Sequence, residues 1–242
     1  GKPGMGVNRS FVISVQDINE APSNIFLSPN NMAENPEEGQ LVGTLNASDE
    51  DFGQTHTFTL LDSASGRFKL INNSEIRTAI SNTDCRKHGG KSCHFNYEAE
   101  KVLTIRVRAM DDGTPRLQKT MDINITLDDV NDQPRDLSLS KSWVDENVAV
   151  NTTVGVFAAT DEDNDTLKYS LVEPGHGPFE VEDNGTLFVA KSVNHEESST
   201  EHVKVKVADN GNPSKSMETW FTIVIKDVGD IPFNMSLTSS AG

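Results

Sequence analysis

Long apolar runs, basic charge, aromatic rings and cysteine are all scarce in this 242-residue chain. No window of about 18 apolar residues occurs, so no segment reads as a membrane-spanning helix. Lys and Arg total 21 against 37 Asp and Glu, a net charge of −16. That balance excludes nucleic-acid phosphate as a partner, because such binding is driven by clustered cations that release counterions. An acidic surface suits cations, basic partners or simple solubility. Aromatics make up 6% and hydrophobic residues 35%, enough for a core in the one or two domains that a chain of this length holds. No charged-then-apolar leader is present, so the chain is expected to be a mature product or an excised piece.

The two cysteines, Cys85 and Cys93, lie in TDCRKHGGKSCHF, a short loop that a disulfide closes easily. A zinc site from Cys85, His88, Cys93 and His94 is the weaker reading, since adjacent Cys93 and His94 would strain a tetrahedron. Free thiols are the remaining alternative. Asn-x-Ser/Thr acceptors occur at Asn8, Asn46, Asn72, Asn124, Asn151, Asn164, Asn184 and Asn234. With 21 asparagines, chance would supply roughly three or four. The excess and the cysteine pair agree on an extracellular, glycosylated chain.

Internal repetition organises the rest. NMAENPEEGQLVGTLNASDEDFG matches SWVDENVAVNTTVGVFAATDEDND, and FNYEAEKVLTIRVRAMDDGTP matches VNHEESSTEHVKVKVADNGNP. DINEAP, DVNDQP and DVGDIP recur as linkers. Glu34 to Glu146 and Asp49 to Asp161 are each 112 residues apart, whereas Glu98 to Glu196 and Asp111 to Asp209 are each 98. The first repeat therefore holds 14 extra residues between Asp51 and Glu98, and the cysteine loop sits in that window. TIRVRA, DINITL, KVKV and TWFTIVIK alternate apolar with polar residues, as half-buried strands do. No capped 3.6-residue apolar period is present. The expected fold is all-β: two tandem seven-stranded antiparallel Greek-key, Ig-like sandwiches joined by a linker.

Acids recur at the turns where these strands end. Like charges held close together repel, and a hard dication offsets that repulsion. Ca²⁺ accepts six to eight oxygens in flexible geometry, which suits loops rich in Asp, Asn and Gly better than the tight octahedron of Mg²⁺. An EF-hand starting at Asp161 fails, because position six is Thr166 rather than Gly and position twelve is Val172 rather than Glu. The ligands must be gathered from distant parts of the chain.

In order, the motifs are Glu34 and Glu146; Asp49/Asp51 and Asp161/Asp163; Asn96-Tyr97-Glu98 and Asn194-His195-Glu196; Asp111 and Asp209; and the Asp-x-Asn-Asp linker. Together they closely resemble extracellular cadherin repeats over nearly all of residues 10–232. The resemblance implies a preceding strand and linker over 1–20, repeats over 21–132 and 133–230, and a tail over 231–242. It implies about three Ca²⁺ at the central linker, held by Glu34, Asn96, Glu98, Asp129, Asn131, Asp132, Asp161, Asp163 and Asp209, with carbonyls near Val130 and Gln133. Seven of these are carboxylates, nearly balanced by three dications. Partial sites are implied at the ends, from Asp17, Asn19, Asp49, Asp51 and Asp111 at one and Glu146, Asn194, Glu196, Asp227 and Asp230 at the other. Departures from the family pattern are Asn96 and Asn194 in place of Asp, Glu20 in the first linker, and Gly229 in the last. Asn164 lies inside a calcium turn, so its sequon is expected to stay unmodified.

The resemblance implies a calcium-dependent adhesion ectodomain of a single-pass plasma-membrane protein, with bound Ca²⁺ stiffening the rod. The alternative is a calcium-stiffened spacer in a mosaic receptor or matrix protein. Partners are expected among cell-surface or extracellular proteins, homophilic binding included, without membrane contact by this segment. No nucleophile elbow, zinc-protease helix or phosphate loop points to catalysis. Trp143 and Trp220 are expected as packing residues, which argues against strand swapping through this segment. The basic loop Arg86, Lys87, His88 and Lys91 reads as solvated.

Overall fold

The computed structural model describes residues 9–80, 95–172 and 177–229. Cys85, Cys93, the basic loop, Asn8, Asn234, Asp230 and the tail lie outside them. The chain divides into two compact units, Gly1–Val130 and Asn131–Gly242.

The first unit contains β1 (Asn24–Ser28), β2 (Asn31–Ala33), β3 (Leu41–Ser48), β4 (Thr57–Asp62), β5 (Phe68–Ile71), β6 (Glu75–Thr78), β7 (Val102–Met110) and β8 (Gln118–Asp128). The second contains β9 (Arg135–Leu139), β10 (Trp143–Asp145), β11 (Thr153–Thr160), β12 (Lys168–Leu171), β13 (Phe179–Val181), β14 (Thr186–Val189), β15 (Thr200–Ala208) and β16 (Ser216–Lys226). Each unit is a two-sheet sandwich. The sheets run β1-β3-β6-β5 and β2-β8-β7-β4 in the first, and β9-β11-β14-β13 and β10-β16-β15-β12 in the second.

Counting β1 with β2, and β9 with β10, as single strands recovers the seven expected per sandwich. Each first strand changes sheet partway. Its first half runs antiparallel to the third segment, and its second half runs parallel to the last strand, as in Met32↔Leu127 and Val144↔Ile225. These parallel pairs depart from the purely antiparallel expectation. The break is accommodated by glycine: a Cβ at Gly43 would stand 2.0 Å from the Pro29 carbonyl oxygen, and one at Gly155 2.5 Å from that of Lys141. Both glycines also sit at register shifts, where the extra residue bends the strand.

Alternation fills each core. Leu103, Ile105, Val107 and Ala109 of β7 point inward against Ile123, Ile125 and Leu127 of β8, while the intervening residues face out. Val203, Val205 and Val207 with Ile223 and Ile225 do the same in the second unit. Burying such a side chain contributes roughly 1.5–3 kcal/mol, so each sandwich has its own apolar support. Phe68 meets Phe95 edge-on at 5.4 Å, and Phe157 meets Phe221 at 5.1 Å.

Equivalent strand positions refine the insertion. Phe68 and Phe179 are 111 residues apart, and Phe95 and Val193 are 98 apart. Thirteen of the extra residues therefore fall between β6 and Phe95, and one falls in the loop before β4.

Two expectations need comment. Trp143 and Trp220 are not packing residues: they are 37% and 56% exposed. TWFTIVIK, expected to alternate apolar with polar residues, instead carries apolar residues on both faces, and the strand's parity sends Trp220 outward with Glu218, Thr222 and Val224. Residues 9–22, expected to include the last strand of a preceding repeat, join no ladder among the described residues, and Phe11, Val12, Ile13 and Val15 are solvent-exposed.

Candidate metal centres at the ends of each unit

At one end of each sandwich a single carboxylate ties two loops together. Glu34, 3% exposed, accepts the Tyr97 N–H at 2.8 Å and the Val130 N–H at 3.0 Å, one on each oxygen. Glu146, 2% exposed, accepts the His195 N–H at 3.0 Å and the Val228 N–H at 2.9 Å in the same way. Val228 first and His195 second hold the Glu146 carboxyl below its ordinary value. Beside it lie Asn96 in the first unit and Asn194 in the second. Each caps its own turn, Asn96 Oδ1 accepting the Ala99 N–H at 2.6 Å and Asn194 Oδ1 the Glu196 N–H at 2.8 Å. Glu98, Asp129, Glu196 and Asp227 are exposed nearby in sequence. His195, Glu196 and Asp227 each place one ligand atom within 4.8 Å of the other two.

The opposite end is equally repetitive. Asn19 Nδ2 donates to Asp111 Oδ2 at 3.3 Å and to the Pro115 carbonyl at 2.8 Å. Asn131 Nδ2 donates to Asp209 Oδ2 at 3.2 Å and to the Pro213 carbonyl at 2.8 Å. The Glu20 N–H donates to Asp51, and the Asp132 N–H donates to Asp163. Asp111 Oδ1 accepts the Gly113 and Leu117 N–H groups, and Asp209 Oδ1 those of Gly211 and Lys215. Those glycines admit the asparagines. A Cβ at Gly113 would lie 1.7 Å from Asn19 Oδ1, and one at Gly211 2.0 Å from Asn131 Oδ1. Asp111, Asp132 and Asp209 are buried, and the others here are half-buried except exposed Asp17.

Carboxylates converge at both copies of this end. Asp17, Glu20 and Asp51 form one triple within 4.8 Å, and Asp161, Asp163 and Asp165 form another. Two unit charges at that separation repel by roughly 3–4 kcal/mol at an effective dielectric of 20. Desolvation, and then the charges of Asp51 and Asp17, push the Glu20 carboxyl above its ordinary value. In the second unit two oxygens have no hydrogen-bond partner among the described residues although both are buried: Asp161 Oδ2 and Asn131 Oδ1. Both are acceptors only, hard and anionic or dipolar. A buried acceptor without a donor is costly, and a hard dication is the partner that such a donor set fits.

The two copies differ at this point. In the first unit Asp49 Oδ2 is engaged by His56 Nε2 at 3.0 Å. Partial burial raises the Asp49 carboxyl, but the His56 bond and the Asp51 N–H outweigh it and leave it below its ordinary value. Leu167 stands where His56 would be in the second unit, so Asp161 Oδ2 stays unpartnered. Sequence reasoning missed His56, Asp165 and the paired glycines. The Gly two residues after Asp111 and Asp209 was the available signal. Of the nine residues expected at the central linker, Glu34, Asn96, Glu98 and Asp129 belong to the first unit, and Asn131, Asp132, Asp161, Asp163 and Asp209 to the second.

Comparison with known proteins gives these ends a context. The Cadherin domain family model matches residues 142–226. Human Protocadherin Fat 1 is 28% identical over 233 residues, covering 91% of this chain and 5% of that protein. The seven-pass receptor fmi-1 of Caenorhabditis elegans, a Cadherin EGF LAG protein, is 29% identical over 95% of this chain and 9% of its own length. Human Protocadherin-7 is 27% identical over 98% of this chain and 22% of its length. The chain thus spans only a small part of the curated relatives it matches. Among solved structures, human Protocadherin-24 EC1-2 superposes with a TM-score of 0.60 at 17% identity, covering 87% of this chain and all of that one. Mouse Cadherin-23 EC22-24 gives 0.55 at 22% identity, covering 84% of this chain and 67% of that one. These likenesses show the fold. The second unit matches the Cadherin domain model, and across both units the chain is similar to tandem cadherin repeats, in its repeated motifs as in its relatives.

Proposed function

We propose that the chain is a segment of an adhesion ectodomain whose two repeats, over 21–132 and 133–230, are locked at a fixed angle by Ca²⁺ at the linker. The observation that carries this reading is a pair of buried oxygens with no hydrogen-bond partner among the described residues, Asn131 Oδ1 in the linker and Asp161 Oδ2 just after β11. Glu34, Asn96, Glu98, Asp129, Asn131 and Asp132 would supply ligands from the first repeat and linker. Asp161, Asp163 and Asp209 would supply them from the second, for about three ions. Bound Ca²⁺ supplies positive charge that cancels the repulsion among seven carboxylates. The chain's own contribution is to pre-orient the ligands. Glu34 holds the Tyr97 and Val130 backbones, and Asp209 holds the turn at Gly211 and Lys215.

The partial end sites would draw on Asp17, Asn19, Asp49, Asp51 and Asp111 at one end, and on Glu146, Glu196 and Asp227 at the other. The His56 bond to Asp49 competes with a cation there, so that site is proposed to be the weaker copy. Extracellular placement is supported by the family, and glycans are proposed at Asn46, Asn72, Asn124, Asn151 and Asn184, all exposed. Asn164 sits at φ 59° between Asp163 and Asp165, within the ligand turn, and is proposed to stay bare.

Small-angle scattering with Ca²⁺ and then with a chelator tests the rod. An increase in flexibility on chelation is expected, and an unchanged profile would overturn the reading. Calcium-dependent aggregation of coated beads separates adhesion by this segment from a spacer role.

A further inference from the structure

The sheet β10-β16-β15-β12 of the second unit has an outer face that none of the chemistry above uses. Its inward residues fill the core, so its outward set is defined by parity: Trp143, then Val224, Thr222, Trp220 and Glu218 along β16, and His202, Lys204 and Lys206 along β15. Trp143 is 37% exposed, Val224 42% and Trp220 56%.

Lysines stand over one ring and across the strand from the other. Lys141 Nζ and Lys226 Nζ lie 3.8 Å and 3.2 Å from the Trp143 ring centroid, a separation at which ammonium and indole attract. Lys204 is the direct cross-strand neighbour of Trp220, and Lys206 is the next outward residue on β15. Lys168 shares the face from β12, where Ser170 pairs with Lys206.

Charge is sorted steeply here. Residues 131–242 contain eight Lys and Arg against nineteen Asp and Glu. Five of those eight cations stand on this one face. Among the described residues Asp145 and Glu218 join them from the sheet, Glu218 already bound to Lys204 at 2.6 Å, and Asp183 reaches Lys168 at 3.3 Å. The face therefore carries +2 within a unit whose remaining sequence carries −13.

Glycan acceptors avoid it as well. None of the six described Asn-x-Ser/Thr sites falls on this face. The matching face of the first unit carries Asn124 along β8, opposite Thr104.

The apolar groups are not contiguous. A polar row, Thr222 bonded to His202 at 3.0 Å, separates Val224 from Trp220, and outward residues on a strand are about 7 Å apart. A protein partner wants a continuous dry centre with a polar rim. Separate rings on a lysine-rich face suit a different ligand: sugar rings stack their C–H faces on indole, and sulfate or carboxylate groups pair with lysine. From the Trp143 row to the Trp220 row is four residues, about 14 Å, a span that an extended polymer follows along the strands. We propose that this face binds a linear anionic polysaccharide carrying sulfate and carboxylate groups.

The test uses the whole chain over immobilised heparin, with affinity read at several salt concentrations. Binding that weakens steeply with salt is expected. The double variant Lys206→Glu/Lys226→Glu should lose about tenfold or more in affinity, and Trp220→Ala should lose severalfold at an unchanged salt slope. Arg106→Glu, on the corresponding face of the first unit, should bind as the parent does. Circular dichroism of each variant establishes that it folds, and Trp220→Ala keeps the test decisive should the double variant fail. No binding near physiological salt would overturn the proposal, as would equal binding by all variants. Self-association abolished by Trp220→Ala without heparin would also overturn it and make the face a contact between copies.

Discussion

Replacing Glu146 by Gln isolates what the buried carboxylate does before any metal is considered. Its two oxygens each accept one backbone N–H, from Val228 at 2.9 Å and His195 at 3.0 Å, and it is 2% exposed. An amide keeps one acceptor and turns an N–H₂ donor toward the other N–H. The change removes one charge-assisted bond, worth about 1.5–3 kcal/mol, and leaves a donor facing a donor. A net loss of about 2–4 kcal/mol is expected, lowering the melting transition of a unit this size by roughly 10–20 °C. Thermal unfolding should be followed in chelator, so that ligand loss does not contribute. Glu196→Gln, on an exposed side chain of the same loop, should leave that transition unmoved. A Glu146→Gln loss below about 0.5 kcal/mol, or equal losses from both variants, would refute the claim that this carboxylate staples the loops.

Gly211→Ala should displace Asn131, since the new Cβ would fall 2.0 Å from Oδ1. Two hydrogen bonds are then lost, at about 1–3 kcal/mol in total, and calcium titration should show weaker binding; unchanged affinity would contradict the placement of Asn131. The Glu146, Asp49 and Asp112 carboxyls sit below their ordinary values, Asp112 because Thr55 donates to it from both its hydroxyl and its N–H. Depressed carboxylates contribute stability that is present above their unfolded values and lost as pH falls through the folded ones. Stability in chelator should therefore hold near neutrality and fall below about pH 4.5, and a rise there would refute the sign. The Arg106–Asp122 pair, bidentate at 2.6 and 2.9 Å but exposed, should yield under about 1 kcal/mol in a double-mutant cycle, despite its ideal geometry.

Much of this was legible from residue order. Period-two alternation in TIRVRA and KVKV located β7 and β15 because one face of each is core, and the 112-residue spacing found Glu34 and Glu146 before their shared bonding was visible. The sheet switch of the first strand was not legible. It turns on where a carbonyl needs room, and Gly43 and Gly155 mark that only once the neighbouring strand is in place. Nor was the outward placement of Trp220, because β16 carries apolar residues on both sides there and gives no parity signal. The asymmetry between Asp49 and Asp161 rests on His56 against Leu167, two positions that no motif flags.

The most direct measurement is a crystal structure of the chain at saturating Ca²⁺. The account predicts calcium within about 2.3–2.6 Å of Asp161 Oδ2 and Asn131 Oδ1, with Asp163 and Asp209 completing the oxygen shell. Density showing those two oxygens hydrogen-bonded to water or protein donors, with no ion beside them, would contradict it.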